Sequence, residues 1–335
     1  MSSLIVEVST IDEVLPHPNA DNLALAVVKG WQTVIGKDQY KKGDKVIYIP
    51  PDSVLPTELS DKLGVTKYLS KGRVRCIKLR GEMSFGLIID VENKQLEVGT
   101  DVAILYGISK WEPPLRLGGK SCSEHPMLQR YTDIENLRNF PNIFNEGEPV
   151  ILTEKIHGSN CRIGLINGEK IAGTHRTQRV KPNNLSEDLY WFPFTLEPIN
   201  KYLEDMSKEH ECIIIFGEMY GNRIQNLTYG LNKQNEVGFA AFDILIDGKY
   251  LSSFEFAAHT GKYQIPIVPI VDICPYGFTK VKELSMGNTL LRGGHIREGI
   301  VIKPIEERTH PKIGRVVLKM LNDAYLLKEH GDFKE

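Results

Sequence analysis

The segment Val150-Ile151-Leu152-Thr153-Glu154-Lys155-Ile156-His157-Gly158-Ser159-Asn160-Cys161-Arg162-Ile163-Gly164 decides how this chain is read. An apolar run of strand-forming residues ends at Lys155. A small polar turn, Ser159-Asn160, follows, and a second apolar run leaves it. A lysine at a strand end carries an amine that can act as a nucleophile once it is deprotonated. With an ordinary pKa of ~10.4 it is almost wholly protonated at neutral pH, so such a role needs a neighbouring cation, a metal or desolvation. The tetrapeptide Lys155-Ile156-His157-Gly158 decides nothing alone, since a Lys-x-[Asp/His]-Gly string turns up by chance in roughly one chain in ten of this length. Its company must carry the argument.

Downstream, the runs EKIAGTHR, ECIIIFGEMYG, EVGFAAFDILI, REGIVIKP and RVVLKML are again mostly strand-forming. They are interrupted by an expected helix from about Ser186 to Lys208 and another near Phe254. This half of the chain reads as α+β with antiparallel sheets. Upstream, residues 1–105 are punctuated by Gly and Pro about every ten residues, with short strand-like runs between (LIVEVSTI, LALAVVKG, WQTVIG, KVIYIP, RVRCIKLR, FGLIIDV), the spacing of a small barrel. Residues 106–148 are looser and read as a connector holding one short helix. The expected division is therefore 1–105, 106–148 and 149–335.

Composition narrows the function. A length of 335 residues with 41% apolar content suits two domains and excludes a disordered tail or a lone small module. The 41 Lys plus Arg against 43 Asp plus Glu leave a net charge of -2, so any nucleic-acid surface must be a local patch. Cys76, Cys122, Cys161, Cys212 and Cys274 are odd in number and scattered, which argues against a disulfide framework or a structural zinc site and for a reducing compartment. The N-terminus carries no basic leader and no apolar run approaches the ~18 residues that span a bilayer, so a soluble, cytoplasmic protein without a membrane partner is expected.

The order of motifs sharpens the reading. After Lys155-Ile156-His157-Gly158 come Thr174-His175-Arg176-Thr177, Phe216-Gly217-Glu218, Phe239-Ala240-Ala241-Phe242-Asp243, Arg297-Glu298-Gly299-Ile300-Val301-Ile302-Lys303-Pro304 and Val316-Val317-Leu318-Lys319. Together this series, over about residues 150–327, resembles the covalent nucleotidyltransferase superfamily of ATP-dependent ligases and messenger-RNA capping enzymes. The form Thr153-Glu154-Lys155-Ile156-His157-Gly158-Ser159-Asn160 is similar to the phage-type RNA ligase 2 group, because His157 stands where DNA ligases and capping enzymes usually have Asp.

The resemblance implies an adenylation domain of the ATP-grasp-like DNA and RNA ligase type, and an RNA-repair reaction in three steps. Lys155 attacks the α-phosphorus of ATP and expels pyrophosphate, AMP passes to a 5′-phosphate end, and a 3′-hydroxyl displaces it. Glu218 is expected at the ribose hydroxyls or a metal, and Glu298 at the divalent ion, Mg²⁺ or Mn²⁺, because both offer oxygen. Phe242 has a flat apolar face for adenine. Lys303 and Lys319 are expected on the α-phosphate. Glu154, Ile156, His157, Gly158, Asn160 and Arg176 are carried over as residues binding ATP, AMP or the nucleic-acid end. The group often has a second lysine two positions after Lys319, where this chain has Leu321.

Two absences discriminate further. Only 16 residues follow Lys319, too few for the C-terminal oligonucleotide-binding barrel of DNA ligases and capping enzymes. Nothing upstream resembles the nicotinamide-mononucleotide module of NAD-dependent ligases, which leaves ATP as the donor.

At the other end, Leu15-Pro16-His17-Pro18-Asn19-Ala20-Asp21-Asn22-Leu23 and Lys78-Leu79-Arg80-Gly81-Glu82-Met83-Ser84-Phe85-Gly86 are partly similar to the OB-type transfer-RNA-binding module. Between residues 67 and 80 lie six basic residues, Lys67, Lys71, Arg73, Arg75, Lys78 and Arg80, and no acidic one. That stripe suits strand binding by an OB-fold barrel, with Tyr68 or Trp31 available for stacking. An OB module placed before the ligase domain resembles the Deinococcus-type RNA ligase group, which seals nicks with an RNA 3′-hydroxyl. His17, between two prolines, reads as a rigid turn, and His125, His210 and His330 form no cluster. The expected partner is RNA or an RNA-containing nicked duplex, with no protein partner implied and a monomer expected. A DNA ligase of unusual layout, and a nucleic-acid-binding protein with an inactive ligase-like domain, are the alternatives.

Overall fold

Strand-forming runs joined by two-residue turns account for most of the architecture. Where Ile166 pairs with Glu169, the connecting Asn167 and Gly168 have φ of 51° and 80°, the left-handed pair of a type I′ turn that matches strand twist. The structure, a computed structural model, describes residues 4–111, 120–222, 224–234 and 236–330. The chain divides into two compact units, one comprising Met1–Leu115, Glu135–Pro141 and Asp323–Glu335, the other Arg116–Ile134 and Asn142–Asn322.

The first unit is built of short antiparallel strands. Glu7–Thr10, Lys45–Ile49 and Leu87–Asp90 form one sheet, and Glu13–Pro16, Leu23–Val28 and Trp31–Gly36 another. Cys76–Leu79 and Glu82–Phe85 form a hairpin, and the helix Thr57–Lys62 stands between strand groups. Trp31–Gly36 alternates buried and half-buried residues, the period of a strand with one face inward. The core gathers Val6, Val8, Ile47, Ile49, Leu55, Val74, Ile89, Val102 and Ile108. The expected barrel strands all form, each shorter than its apolar run except Trp31–Gly36, which fills it.

Arg138, from the short 3₁₀ turn Leu137–Asn139, belongs to this unit. Its guanidinium lies 4.1 Å over the Trp31 ring and donates to Asp323 Oδ1 at 2.6 Å, tying in the helix Asp323–His330. Trp31 is 3% exposed and belongs to the core, so it offers no face to a nucleic-acid base. His17 is buried, with Nε2 3.2 Å from the Leu79 carbonyl and Nδ1 accepting from Asn19 N–H, the turn-stabilising role expected of it.

In the second unit a seven-stranded antiparallel sheet runs in the order Ser121–Cys122, Gln178–Arg179, Glu169–Thr174, Ser159–Ile166, Cys212–Gly221, Val237–Ile246, Lys249–Tyr250. A second antiparallel group runs Leu318–Leu321, Gly299–Pro304, Pro149–Lys155, Ile270–Pro275. The main core, with Ile163, Trp191, Phe194, Ile199, Tyr202, Ile213, Ile215 and Ile244, lies on one face of the large sheet.

The helix expected over 186–208 is broken. Residues Leu185–Glu187 and Leu189–Thr195 form 3₁₀ turns, and the α-helix is confined to Glu197–Met206. Asp188 caps Tyr190 N–H at 2.9 Å, and Pro193 and Pro198 each lack a donor, which ends one helical stretch and starts the next. The helix near Phe254 spans Ser253–Tyr263 and opens on a capping box of Ser252 and Glu255. A further helix, Phe278–Ser285, was not among those expected. Of the expected connector, residues 112–119 lie outside the described residues, as does the His330 side chain. All five cysteines are free. Among the described residues no helix is long and apolar enough to cross a membrane.

Candidate active site

Register places the basic side chains. Pro149–Lys155 pairs antiparallel with Gly299–Pro304, which pairs with Leu318–Leu321. Paired residues share a face, so Ile151 with Lys303, Thr153 with Val301 and Lys319, and Lys155 with Gly299 and Leu321 form successive rows. Lys155, Lys303 and Lys319 thus stand on one side of this sheet. Leu321, where the ligase 2 group often has lysine, lies in the row of Lys155.

Glu154 points to the other side. Its Oε1 accepts from Thr289 Oγ1 at 2.6 Å and its Oε2 from Leu290 N–H at 2.7 Å, so its side chain pins the 289–290 loop.

The large sheet supplies the facing wall. Asn160 pairs with Glu218, which pairs with Ala240. Between Ala241, opposite Gly217, and Asp243, opposite Phe216, one residue is left over. It is Phe242, and this bulge frees its ring from the ladder alternation. The result is a narrow cleft of about 70 Å³. It is lined by Lys155, Ile156, Asn160, Glu218, Phe242 and Lys303 among the expected residues, and also by Tyr131, Ile134, Thr153, Val268 and Val301. Glu154 belongs to the lining although its carboxylate is turned away.

Electrostatics single out two carboxylates, Glu298 and Glu218. Lys155 Nζ is 2.6 Å from Glu298 Oε1, and His157 Nδ1 is 3.6 Å from Glu298 Oε2. Burial works against the ionised Glu298, yet Lys155 and His157 outweigh it and hold the carboxyl below its ordinary value. Burial pushes Glu218 up to about 8, against the lowering effect of Lys155 and with a further rise from Glu298.

The glycine of the Lys155 motif is required by contact. A Cβ on Gly158 would sit 2.1 Å from the Met219 carbonyl and 2.9 Å from Glu218 Cγ, so only glycine lets the turn approach the Glu218 strand. The turn is further held by His157 N–H donating to Tyr229 Oη at 2.6 Å and by Gln225 Nε2 donating to Gly158 O at 3.2 Å.

A divalent cation fits this donor set. Magnesium is commonly held by one or two carboxylates plus substrate phosphates. Glu298 Oε2 is buried with no hydrogen-bond partner, as is Asn160 Oδ1, and both are oxygen donors.

Arg176 is not part of the cleft lining. It sits in the turn after Glu169–Thr174, where its N–H donates to Thr174 Oγ1 at 3.1 Å.

The basic stripe of the first unit divides. Lys67, Lys71, Lys78 and Arg80 are exposed and Arg75 half-buried, but Arg73 is 8% exposed. It donates to Asp52 Oδ1 from two nitrogens, at 2.7 and 2.9 Å, and stacks 3.4 Å over Trp111. Arg73 is therefore structural and leaves the exposed stripe. Tyr68, 45% exposed with Lys67 Nζ 5.0 Å above its ring, is the aromatic open to solvent here.

Sequence reasoning missed Tyr131 and Arg315 and gave Asp243, quoted within its motif, no role. Asp243 Oδ2 accepts from Tyr131 Oη at 2.7 Å and pairs with Arg315 Nη1 at 2.8 Å and Lys303 Nζ at 3.3 Å. Only the charge of Asp243 within an apolar run hinted at this cluster.

Comparison with known proteins agrees with the geometry. A family model described as RNA ligase matches residues 148–321, just over half the chain, and an OB-fold domain model matches residues 5–91. No curated protein sequence matches. The structure of Naegleria gruberi RNA ligase with pyrophosphate is 25% identical, with a TM-score of 0.79, covering 98% of this chain and 99% of that one. A mutant of that ligase with ATP and manganese gives 24% identity, a TM-score of 0.80 and coverage of 98% and 100%. An apo mutant gives 24%, 0.79, 99% and 100%. With its second unit spanned by the family model and its first carrying the OB fold, the chain belongs to the RNA ligase family.

Proposed function

We propose that this ligase seals RNA ends, at nicks whose 3′-hydroxyl strand is RNA, through a lysyl-AMP on Lys155 and an adenylylated 5′-end. The observation that supports this most directly is Lys155 in the lining of a cleft that brings together Phe242, Glu218, Lys303 and Asn160. Adenine stacks on Phe242, Glu218 accepts from the ribose hydroxyls, and Lys303 and Lys319 neutralise phosphate charge. Lys155, ion-paired with Glu298, passes a proton to solvent water before attack. Its nitrogen then bonds to the α-phosphorus as the bond to pyrophosphate breaks. A 5′-phosphate takes the AMP and frees Lys155, and the 3′-hydroxyl attacks that 5′-phosphorus, closing the strand and releasing AMP. Magnesium or manganese, held by Glu298 and Glu218, supplies charge neutralisation on the phosphates when bound.

The exposed Lys67, Lys71, Lys78 and Arg80, with Tyr68 beside them, support a strand-binding role for the OB-fold unit. We further propose that Arg176 serves the nucleic-acid end rather than ATP. Naegleria gruberi RNA ligase has been solved with ATP and manganese and with pyrophosphate, which are substrate, metal and product of the first step proposed here.

The test is incubation with ATP labelled at the α-phosphate and with Mg²⁺ or Mn²⁺, then denaturing separation and peptide mapping. Label on Lys155 is expected. Protein that takes no label even after pyrophosphate has stripped pre-bound AMP would overturn the proposal. Equal sealing of nicks with DNA and RNA 3′-ends would overturn its RNA specificity.

A further inference from the structure

The segment before Ile134 contributes a residue to the cleft that no motif contains. Tyr131 is 5% exposed, and its hydroxyl donates to Asp243 Oδ2 at 2.7 Å. Its ring meets Phe242 edge-on, with centroids 4.8 Å apart at 65°, and Phe216 at 5.1 Å. Asp243 is fully buried and receives three donors on one oxygen, while Oδ1 has none. Two of those donors are close, Tyr131 Oη at 2.7 Å and Arg315 Nη1 at 2.8 Å. The third, Lys303 Nζ, stays at 3.3 Å and divides its attention with the Phe242 carbonyl at 3.2 Å. An unhindered ammonium and carboxylate close to about 2.7–2.9 Å. The long distance therefore reflects an oxygen already occupied.

We infer that Tyr131 is a positioning residue for phosphoryl transfer: its hydroxyl occupies Asp243 and so leaves Lys303 free to engage a phosphate, while its ring braces Phe242. The inference rests on the proposed reading of Lys303 as a phosphate contact. Both partners are in the required ionisation states. Burial holds the Tyr131 phenol well above its ordinary value, so it keeps its proton and donates. Burial opposes the ionised Asp243, but Lys303 and Arg315 outweigh it and hold the carboxyl below its ordinary value. Removing the hydroxyl vacates a place on Oδ2, the oxygen that Lys303 faces at 3.3 Å, and Lys303 is the adjacent cation able to close on it. Arg315 is already committed to Glu307 and stacks 3.7 Å over Tyr250.

The two parts of the side chain have separable effects. Tyr131→Phe keeps the ring and loses the hydroxyl; Tyr131→Leu loses both. In single-turnover formation of lysyl-AMP by the full-length protein, Tyr131→Phe is expected to lower the maximal rate about tenfold with the ATP KM within about twofold of wild type. Tyr131→Leu is expected to raise the KM as well. A purely structural role would not split the two parameters.

A double-mutant cycle decides the route. If Tyr131 acts through Lys303, then Tyr131→Phe combined with Lys303→Ala is no slower than Lys303→Ala alone. All variants are assayed below the melting temperature of the least stable one. Multiplying effects, or a Tyr131→Phe rate within twofold of a wild type that labels normally, would overturn this inference alone. A wild-type protein that takes no label overturns the ligase reading and this inference with it.

Discussion

Lys155 Nζ lies 2.6 Å from Glu298 Oε1, although the two residues are 143 positions apart in sequence. Antiparallel pairing of Lys155 with Gly299 sets Glu298 one residue off register, beside the amine. A Cβ at position 299 would meet the Met320 carbonyl at 2.3 Å, so the glycine that follows Glu298 lets its strand pair closely with Leu318–Leu321 on the edge away from Lys155. The proposed nucleophile and the proposed metal carboxylate are therefore ion-paired with each other.

Lys155→Ala is expected to abolish AMP transfer to the protein while sealing of a pre-adenylylated 5′-end persists. Labelled ATP and a pre-adenylylated nick measure the two activities separately. Loss of both in a folded variant would contradict the nucleophile assignment.

Glu298→Gln keeps the size of the side chain but removes the charge that pairs with Lys155 and the carboxylate oxygen open to a cation. Lysyl-AMP formation is expected to fall on the order of 10²-fold, with a higher divalent-ion concentration at half-maximal rate. An unchanged metal titration would remove Glu298 from the metal site.

Gly158→Ala inserts a methyl group 2.1 Å from the Met219 carbonyl, a contact relieved only by moving the turn or the Glu218 strand. The expected result is a loss of roughly 1–3 kcal/mol in unfolding free energy, with a larger proportional loss of adenylylation. Denaturant unfolding and labelling rates on the same preparation test both.

Stability in acid should depend on Asp243. Its folded pKa is lowered, so the stability it contributes is present above the unfolded value near ~3.9 and is lost as pH falls through the lower folded value. Asp243→Asn is expected to cost about 3 kcal/mol at neutral pH by leaving Arg315 and Lys303 undercompensated. It should also flatten the decline below pH ~4. Urea midpoints at several pH values would show an unaltered acid slope if Asp243 carries no such stability.

In the OB-fold unit, neighbouring cations should behave differently. Lys71→Ala or Lys78→Ala is expected to leave stability unchanged and to reduce the slope of log affinity against log salt for an RNA-containing duplex by about 0.7–0.9. Arg73→Ala, which breaks the Asp52 pair and the Trp111 stack, is expected to cost about 1–3 kcal/mol in stability and leave the salt slope alone. Equal effects on the salt slope would return Arg73 to the binding surface.

Much of the candidate site was legible because its residues occur in ordered strings: Lys155 at a strand end, Glu218 within a largely buried strand, Glu298 just before a strand and Lys303 within it. The antiparallel sheets of the second unit and the short strands of the first followed from apolar runs and turn residues, since period and turn chemistry are local properties. The 186–208 helix was misread because Pro193 and Pro198 redirect a segment whose apolar pattern is otherwise continuous.

What the sequence by itself determined is the set of chemical groups and the order in which the strands present them. Only the tertiary structure decided which groups meet. It turned the Glu154 carboxylate toward Thr289, buried Trp31 beneath Arg138 and Arg73 against Trp111, and set Tyr131 on Asp243 across 112 positions of chain. Charge and aromaticity are properties of a residue, but exposure and partnership depend on strand register and on what packs over each face, and no local string encodes these.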